Sequence, residues 1–141
     1  MLALKGYQVS IVAAQTHTTS HNAAGFFFPR PRKRSTPEEC ALFLSFGIES
    51  YRTYQQIINN SHPFLTKGAQ LLPCYFGLDI DPGFDSYTAQ NIMDPPEQVS
   101  IDFQNGKVYD VVEYKTIFID VVALMSELER NRQELGIEIE R

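Results

Sequence analysis

The residues with the clearest chemical potential lie in one polar loop near the start of the chain. Its hydroxyl-bearing side chains are Thr16, Thr18, Thr19 and Ser20. The loop closes on Ala23, Ala24 and Gly25, whose small side chains let backbone N–H groups approach a ligand closely. Residues 7–14 before it predict an apolar strand, and ligands bind at the carboxyl ends of strands in doubly wound sheets. A surface loop followed by a packing crossover is the simpler interpretation, and composition alone favours it.

Other groups of chemically capable residues give weaker evidence of a site. His17 and His21 have i, i+4 spacing, but they lie in the same polar loop without a third ligand nearby, which disfavours a metal site. Asp79 and Asp81 are spaced as in the start of a calcium loop, although the glutamate that should end such a loop is missing. No G-x-S-x-G motif occurs. The chain therefore encodes no recognisable catalytic set.

The run PRPRKR, residues 29–34, is the one strongly basic stretch in an acidic chain. Such a run can indicate nucleic-acid binding, a nuclear signal or an anionic ligand. Its two prolines and four charges fit an exposed loop better. The formal net charge of −5 also argues against nucleic acid as the main partner.

Two longer patterns stand near the ends of the chain. One is GYQVSIVAA, followed by TTS, AAG and an aromatic run that ends in Pro29; the other is YKTIFIDVVALMSELERNRQELGIEIER. The first resembles the second strand and following loop of the D-amino-acid-oxidase family of FAD-dependent oxidoreductases. The second is similar to that family's segment in which a strand leads to a helix, a glycine and a strand returning to the flavin domain.

This resemblance implies FAD as the cofactor and an amino acid or amine as the substrate. The implied reaction is oxidation of a C–N bond with hydride transfer to the flavin, which carries the redox chemistry. It also implies cofactor contacts at the strand end, the hydroxyl loop and the small residues after it: Ala13, Ala14, Thr18, Thr19, Ser20, Ala24 and Gly25. No catalytic residue is implied, because the family's substrate-binding arginine and tyrosines would follow Arg141.

Two features of that family are missing. Its phosphate-binding motif, G-x-G-x-x-G, should precede Gly6 by roughly two dozen residues, and Ala13 or Ala14 stands where an acidic residue normally binds the ribose. We therefore expect an internal fragment or a degenerate relative that is inactive alone and holds FAD poorly. Exposed edges of such a piece would favour homo-oligomers. The alternative is a non-catalytic α/β module for protein binding or assembly.

Helix signals begin just before Pro37, which suits a first helical position after a cap at Ser35 or Thr36. Gly47 predicts a bend into a second helix over 48–59. Tyrosines at helical spacing in this second helix are Tyr51 and Tyr54. That spacing favours a place in the core over a role in facing substrate.

Strand signals follow. Residues 69–78 predict a strand that Pro73 confines to a sheet edge. The acidic, proline-rich residues 79–96 predict an irregular segment. A strand returning over 108–114 is followed by a separate short one over 116–119.

The clearest local prediction is a hairpin at Asn105-Gly106. This pair favours a two-residue type I′ turn, in which both residues have positive φ. Such a turn would set Phe103 opposite Val108. It would also set Asp110 opposite Ile101, which breaks the apolar alternation.

The last helix is predicted over 121–135, with Asp120 as its cap and Gly136 at its end. Its predicted buried stripe consists of Val121, Met125, Leu128 and Leu135. Glu127 belongs to the charged set predicted to face solvent. Ile137 and Ile139 predict a final strand.

Composition sets the remaining limits. The 141 residues are 43% hydrophobic and 21% charged, as in an ordinary single globular domain. No signal peptide and no apolar run of about 18 residues is present, and the widely spaced Cys40 and Cys74 fit reduced, buried thiols in a cytoplasmic protein. The predicted fold class is α/β: a partial Rossmann-like FAD-binding layer with an inserted helical and antiparallel β-hairpin region. The layer corresponds to residues 1–35 and 115–141, and the insertion to 36–114.

Overall fold

Residues 5–12, 24–28 and 36–140 are described in a computed structural model of the chain. In this part the strands are β1 (Ser10–Val12), β2 (Ala24–Phe26), β3 (Ala69–Gly77), β4 (Glu97–Asp102), β5 (Val108–Asp120) and β6 (Glu138–Glu140). The helices are α1 (Pro37–Ile58), α2 (Asp85–Ala89) and α3 (Val121–Glu134). The fold is mixed α/β with two sheets, as predicted at that level.

The larger sheet is antiparallel and centred on β5. On one edge, residues 111–119 of β5 pair with the whole of β3. On the other edge, β5 pairs with β4 over residues 108–113 and then with β2 over residues 118–120. The prediction of two strands over 108–114 and 116–119 was wrong, because β5 is a single strand of 13 residues. Its pairing with β3 runs without a break from Val111 to Ile119, so Lys115 lies inside the strand and does not separate two strands.

Pro73 lies in the outermost strand of this sheet, as predicted. The backbone N–H of Asp120 donates to the carbonyl of Gly68 at 3.0 Å, just beyond the first β3 pair, Ala69 with Ile119. Antiparallel pairs alternate between hydrogen-bonded and non-hydrogen-bonded positions. Pro73 therefore falls at a position that faces away from β5, where its missing N–H removes no bond from the sheet.

The hairpin between β4 and β5 has a different register from the predicted one. Asp110 stands opposite Ser100, whose hydroxyl donates to the Asp110 carboxylate at 2.6 Å. Ile101 stands opposite Tyr109. This shift of one residue resolves the mismatch of Asp110 with Ile101, since the polar side chains now share one pair and the less polar ones the next.

The turn of this hairpin is correspondingly longer, and the type I′ prediction was wrong. Residues 103–107 connect the strands, and positive φ occurs at Gln104 (60°) and Gly106 (77°) rather than at Asn105. The Asn105 side-chain oxygen instead accepts from the N–H of Lys107 at 3.1 Å. Asparagine thus supports the loop through its side chain, which is a common use of this residue in turns.

Helix α1 begins as predicted and continues further than predicted. Thr36 caps it: its hydroxyl accepts from the N–H of Glu39, and the Glu39 carboxylate accepts from the N–H of Thr36. The expected bend at Gly47 is absent, because α1 is one helix of 22 residues. A glycine inside a helix costs only about 1 kcal/mol, which burial of Ile48 and Tyr51 on the same helix can offset.

The core combines α1, β5 and the segment that follows β3. Its buried members are Ile48, Tyr51, Phe84, Tyr87, Ile92, Met93, Tyr114 and Ile117. Half of them come from residues 79–96, which the sequence predicted to be irregular. The apolar residues of this segment have no regular spacing, and only α2 within it is helical, so periodicity could not identify them as core.

Helix α3 is capped and ended as predicted. The Asp120 carboxylate accepts from the N–H of Ala123 at 3.1 Å, and Gly136 has a positive φ of 65°. The predicted burial pattern was partly wrong: Leu128 is 43% exposed, whereas Glu127 is only 3% exposed. The helix therefore presents a carboxylate, not only apolar side chains, to the rest of the protein.

Strands β1 and β6 form the smaller sheet. They are parallel, with Ile11 opposite Ile139. A wider Rossmann-like layer around this pair stays a prediction. Among the described helices, none is both long and apolar enough to cross a membrane.

Candidate functional site

Two predicted cofactor contacts, Ala24 and Gly25, lie in β2. There they pair with Asp120 and Ile119 of β5, respectively. The other predicted contacts lie outside the described residues, as do the paired histidines and the basic run: Ala13, Ala14, Thr18, Thr19, Ser20, His17, His21 and residues 29–34. The structure therefore does not bring the predicted set together in one described site.

Gly25 has open space where a side chain would be. A Cβ atom built on it would meet no heavy atom of the described protein within 4 Å. The glycine is thus not needed to avoid a clash between β2 and β5. This is the geometry expected where a ligand approaches the backbone, although a solvent-facing strand has the same property.

The aromatic run after Gly25 fastens this strand to the core. Its closest ring contacts join Phe26 to Phe118 (5.5 Å between centroids), Phe27 to Tyr51 (5.4 Å) and Phe28 to Phe76 (5.5 Å). The N–H of Phe27 also donates to the carbonyl of Ile117 at 2.8 Å. Each edge-to-face pair contributes about 0.5–1.5 kcal/mol beyond its buried area, so β2 is held firmly beside β5.

The segments that carry the two family-like patterns meet in the smaller sheet. Residue Ile11 belongs to the first pattern and Ile139 to the second, and they are paired although they are far apart in sequence. Val12 remains 78% exposed. Parallel strands are normally covered on both faces, so Val12 is more exposed than is usual for a residue in a parallel pair.

A cavity of about 430 Å³ lies between the start of α1 and the segment around α2. Its walls include Cys40, Phe43, Leu44, Asp81, Asp85 and Tyr87. Tyr87 is 1% exposed, and within the described residues its hydroxyl has no hydrogen-bond partner. Sequence reasoning identified only the acidic character of residues 79–96 and missed the cavity, which exists because this segment packs beside α1.

The carboxylates of this cavity also act on Tyr114. Burial raises the pKa of Tyr114, and the negative charges of Asp85 and Asp81 raise it further. Burial, followed by the charge of Asp94, raises the pKa of Tyr51 to about 12. These phenols therefore stay protonated at neutral pH and are poorly suited to act as bases.

Glu127 occupies a second polar site, where α3 meets the loop before β3. Its carboxylate accepts from the N–H of Thr66 (2.7 Å), the hydroxyl of Thr66 (2.8 Å), the N–H of Lys67 (2.9 Å) and the guanidinium of Arg130 (3.0 Å). Burial alone raises the pKa of Glu127, but these donors together outweigh it and the pKa is lowered. A carboxylate with four donors and little exposure fastens the loop, and it is poorly suited to act as a general base.

Thiol and metal chemistry receive little support from the described residues. Cys40 and Cys74 are free and half-buried rather than fully buried. Burial raises the pKa of Cys74, which lowers its thiolate fraction at neutral pH. In the described part of the chain, no three His, Cys, Asp or Glu side chains gather as metal ligands.

Comparisons of the chain with protein families, with curated proteins and with solved structures gave no match. The likeness to D-amino-acid oxidases therefore depends on the two sequence patterns alone. FAD binding and oxidoreductase activity stay predictions at this point.

Proposed function

We propose that this chain contributes to an FAD-dependent oxidoreductase similar to the D-amino-acid oxidases. In this proposal β1 and β6 belong to the flavin side and the larger sheet belongs to the substrate side, and β2, which pairs with β5 of that sheet, brings Gly25 next to the flavin. The bound flavin would accept a hydride from the carbon atom of the substrate's C–N bond, which would leave an iminium group on the amino acid or amine. The chain's own residues would position the cofactor rather than carry out the chemical step.

The observation that carries this proposal is the parallel pairing of β1 with β6. The family-like pattern at the end of the chain includes α3, then Gly136 and then a strand that returns to the flavin side. That strand, β6, lies next to β1, which belongs to the other family-like pattern. The parallel pairing of two segments that were each chosen for their resemblance supports the proposal.

The residues near the predicted cofactor fit only part of FAD. Open space beside Gly25 suits a flavin ring or its linker passing the backbone of β2. The pyrophosphate lacks its usual partner, because no two of the eight glycines are two residues apart and G-x-G-x-x-G does not occur. We expect the 141-residue chain alone to retain little FAD and not to oxidise D-amino acids.

The test compares the 141-residue chain with a fusion that adds a strand, a G-x-G-x-x-G turn and a helix before Met1. The fusion should retain FAD through gel filtration in a one-to-one ratio, because the added turn supplies the missing phosphate donors. In that fusion, Gly25→Val should lower flavin occupancy without loss of thermal stability, since its side chain meets no described protein atom. Gln98→Val, at an exposed position of β4, is the matched control and should leave occupancy unchanged.

Three results would contradict the proposal or its phosphate argument. A fusion that melts cooperatively but elutes colourless would show that β1, β2 and β6 do not form a flavin site. Equal occupancy in the Gly25→Val fusion would remove β2 from that site. Stoichiometric FAD on the 141-residue chain alone would show that the phosphates of FAD have partners other than a glycine-rich turn.

Exposed apolar side chains favour a second candidate, a protein-binding or assembly module. Leu42 and Phe46, one turn apart on α1, are 55% and 62% exposed, and Val12 at the β1 edge is 78% exposed. Contiguous exposed apolar residues often mark interaction surfaces. Light scattering at micromolar concentration tests this candidate: a dimer or larger species that is lost when Leu42 and Phe46 are both replaced by serine would favour it, and a monomer would count against it.

A further inference from the structure

We infer that Asn105 is a modification site, at which the side-chain amide is converted into a carboxylate by the neighbouring backbone nitrogen and water. The site lies in the loop of residues 103–107 that joins β4 to β5. It is separate from Gly25 and from the cavity beside α1, and it does not depend on the flavin proposal.

The nucleophile is the backbone nitrogen of Gly106, which follows Asn105 in the chain. After losing its proton to hydroxide, it attacks the side-chain carbonyl carbon (Cγ) of Asn105. A five-membered succinimide ring forms as the bond from Cγ to Nδ2 breaks, and ammonia leaves with a proton from the solvent. Water then opens the ring: attack at Cγ gives aspartate, and attack at the backbone carbonyl carbon gives isoaspartate. One water is consumed, one ammonia is released, and no oxidant or reductant takes part.

The N–H of Gly106 is the feature that makes this reaction available in the folded loop. Residues 103–107 are all exposed, and among the described residues nothing accepts a hydrogen bond from this N–H. A backbone N–H that donates to a carbonyl must give up that bond before its nitrogen can attack. The nitrogen of Gly106 can instead lose its proton directly to the solvent.

The other asparagines of the described part differ in this respect. For each of them, the nitrogen that would attack already donates a backbone hydrogen bond. After Asn59, Asn60 and Asn91, these bonds run from Asn60 to Ile57 (3.1 Å), from Ser61 to Gln56 (2.8 Å) and from Ile92 to Tyr87 (3.0 Å). Asn131 lies within α3, where N–H groups bond along the helix. Folding therefore protects these asparagines and leaves Asn105 open to attack.

The shape of the loop also favours attack at Asn105. Gly106 has no Cβ to shield its nitrogen, and no heavy atom lies within 4 Å of the place where a Cβ would be. The Asn105 side-chain oxygen accepts from the N–H of Lys107 at 3.1 Å, which folds the side chain back over the backbone beside Gly106. The amide nitrogen donates to the phenol oxygen of Tyr109 at 3.4 Å, a long bond that holds the leaving group weakly.

The product changes the chemistry of the hairpin tip. Each converted chain carries one more negative charge beside Phe103 and Tyr109, whose exposed rings are in edge contact at 5.7 Å. Isoaspartate also adds one methylene group to the main chain. Amide NMR shifts between fresh and converted protein should therefore be confined to residues 102–109.

The test incubates the whole chain for days in neutral buffer, digests it in mild acid and measures the peptides by mass spectrometry. Electron-transfer fragmentation distinguishes isoaspartate from aspartate. The peptide that contains Asn105 should gain about one dalton and yield both products, at a rate that rises with hydroxide concentration. Short peptides around Asn105 and Asn60 give the rates of the unfolded sequences. Asn105 should react in the folded chain within about tenfold of its peptide rate, whereas Asn60 should fall much further below its own.

Variants then identify the reacting atoms. Asn105→Gln should not form the acidic species, because attack on its longer side chain requires a less accessible six-membered ring. Gly106→Ala should slow conversion severalfold, since the new methyl group shields the nitrogen. The control is Asn91→Gln, which should leave the rate at Asn105 unchanged.

An unmodified Asn105 in the folded chain, together with a reacting peptide, would overturn the inference. Equal ratios of folded to peptide rate at Asn105 and Asn60 would also overturn it, because the free N–H of Gly106 would then have no effect. An unchanged rate in Gly106→Ala would exclude its nitrogen as the nucleophile. If Gly106→Ala fails to fold, the rate ratios and Asn105→Gln still decide the question.

Discussion

Replacing Glu127 by glutamine should destabilise the protein by about 3 kcal/mol. Glutamine keeps the shape but offers one acceptor oxygen and an amide group that cannot accept from Thr66, Lys67 or Arg130. Hydrogen bonds to a charged group contribute about 1.5–3 kcal/mol each, and desolvation of the carboxylate offsets part of their sum. Arg130 is half exposed, and Thr66 and Lys67 can regain water, so the low end of the usual cost for breaking a buried ion pair applies.

Urea denaturation followed by circular dichroism measures this effect, and amide hydrogen exchange locates it. Residues 64–68 should exchange faster in the Glu127→Gln variant, because Glu127 holds the N–H groups of Thr66 and Lys67. Glu134→Gln is the matched control, since this exposed carboxylate lies 3.7 Å from Arg130. The control should change stability by less than about 0.5 kcal/mol.

The same carboxylate predicts a pH dependence. The pKa of Glu127 is lowered in the folded protein from its ordinary value of 4.5. Its contribution is therefore complete above the unfolded pKa and is lost as the pH falls through the folded pKa. The stability difference between the wild type and Glu127→Gln should be constant near neutral pH and shrink below about pH 4.5. A difference below about 1 kcal/mol at pH 7, or one that grows in acid, would refute the role given to Glu127.

Three further predictions concern backbone and burial. Gly68→Ala should lower the free energy of unfolding by about 3 kcal/mol or more, because φ is 89° and the new Cβ would lie 2.6 Å from the Cβ of Leu124. Gly136→Ala should lower it by only about 1 kcal/mol, because φ is 65° but the space is open. Equal melting temperatures of the two variants would contradict this. Gly106→Val should cost about 1–2 kcal/mol in urea denaturation, because φ is 77° although the space is open, and an unchanged midpoint would mean that the loop accommodates valine. Tyr51 should ionise near pH 12 in an absorbance titration. Because its pKa is raised in the folded protein, its contribution to stability should be complete below pH 10 and be lost as the pH rises through about 12. If the Tyr51→Phe variant instead lost a group that titrates near pH 10, the burial of Tyr51 would be contradicted.

The caps and ends of the helices were predicted correctly from the sequence. Thr36 and Asp120 cap their helices, and Gly136 ends α3, because a cap depends on a side chain and N–H groups within one turn of each other. Pro73 indicated an edge strand for a similarly local reason: it lacks an N–H group.

The hairpin register depended on cross-strand partners. Asn105-Gly106 is a strong local signal for a tight turn, yet the bond between Ser100 and Asp110 and the pairing of Ile101 with Tyr109 accompany a register that requires a five-residue loop. The turn preference of two residues is smaller than the combined preference of several cross-strand pairs.

The candidate site was only partly predictable. The role of the polar loop stays a prediction, because Thr16 to Ser20 lie outside the described residues. Gly25, which the sequence placed at the close of that loop, lies in strand β2 with open space beside it. The cavity at Asp81, Asp85 and Tyr87 gave no such pattern. Its walls come from α1 and from a segment without periodicity.

The sequence by itself determined the α/β class, the bounds of β3 and α3 to within one residue, and the residues that cap and end helices, because these depend on neighbours within a few positions. Tertiary structure alone decided that Glu127 is buried, since its exposure depends on donors from Thr66 and Lys67, which are about sixty residues away. It also decided that β1 lies beside β6. Long-range contacts of this kind arise only when distant segments are brought together, and no local preference of either segment encodes its partner.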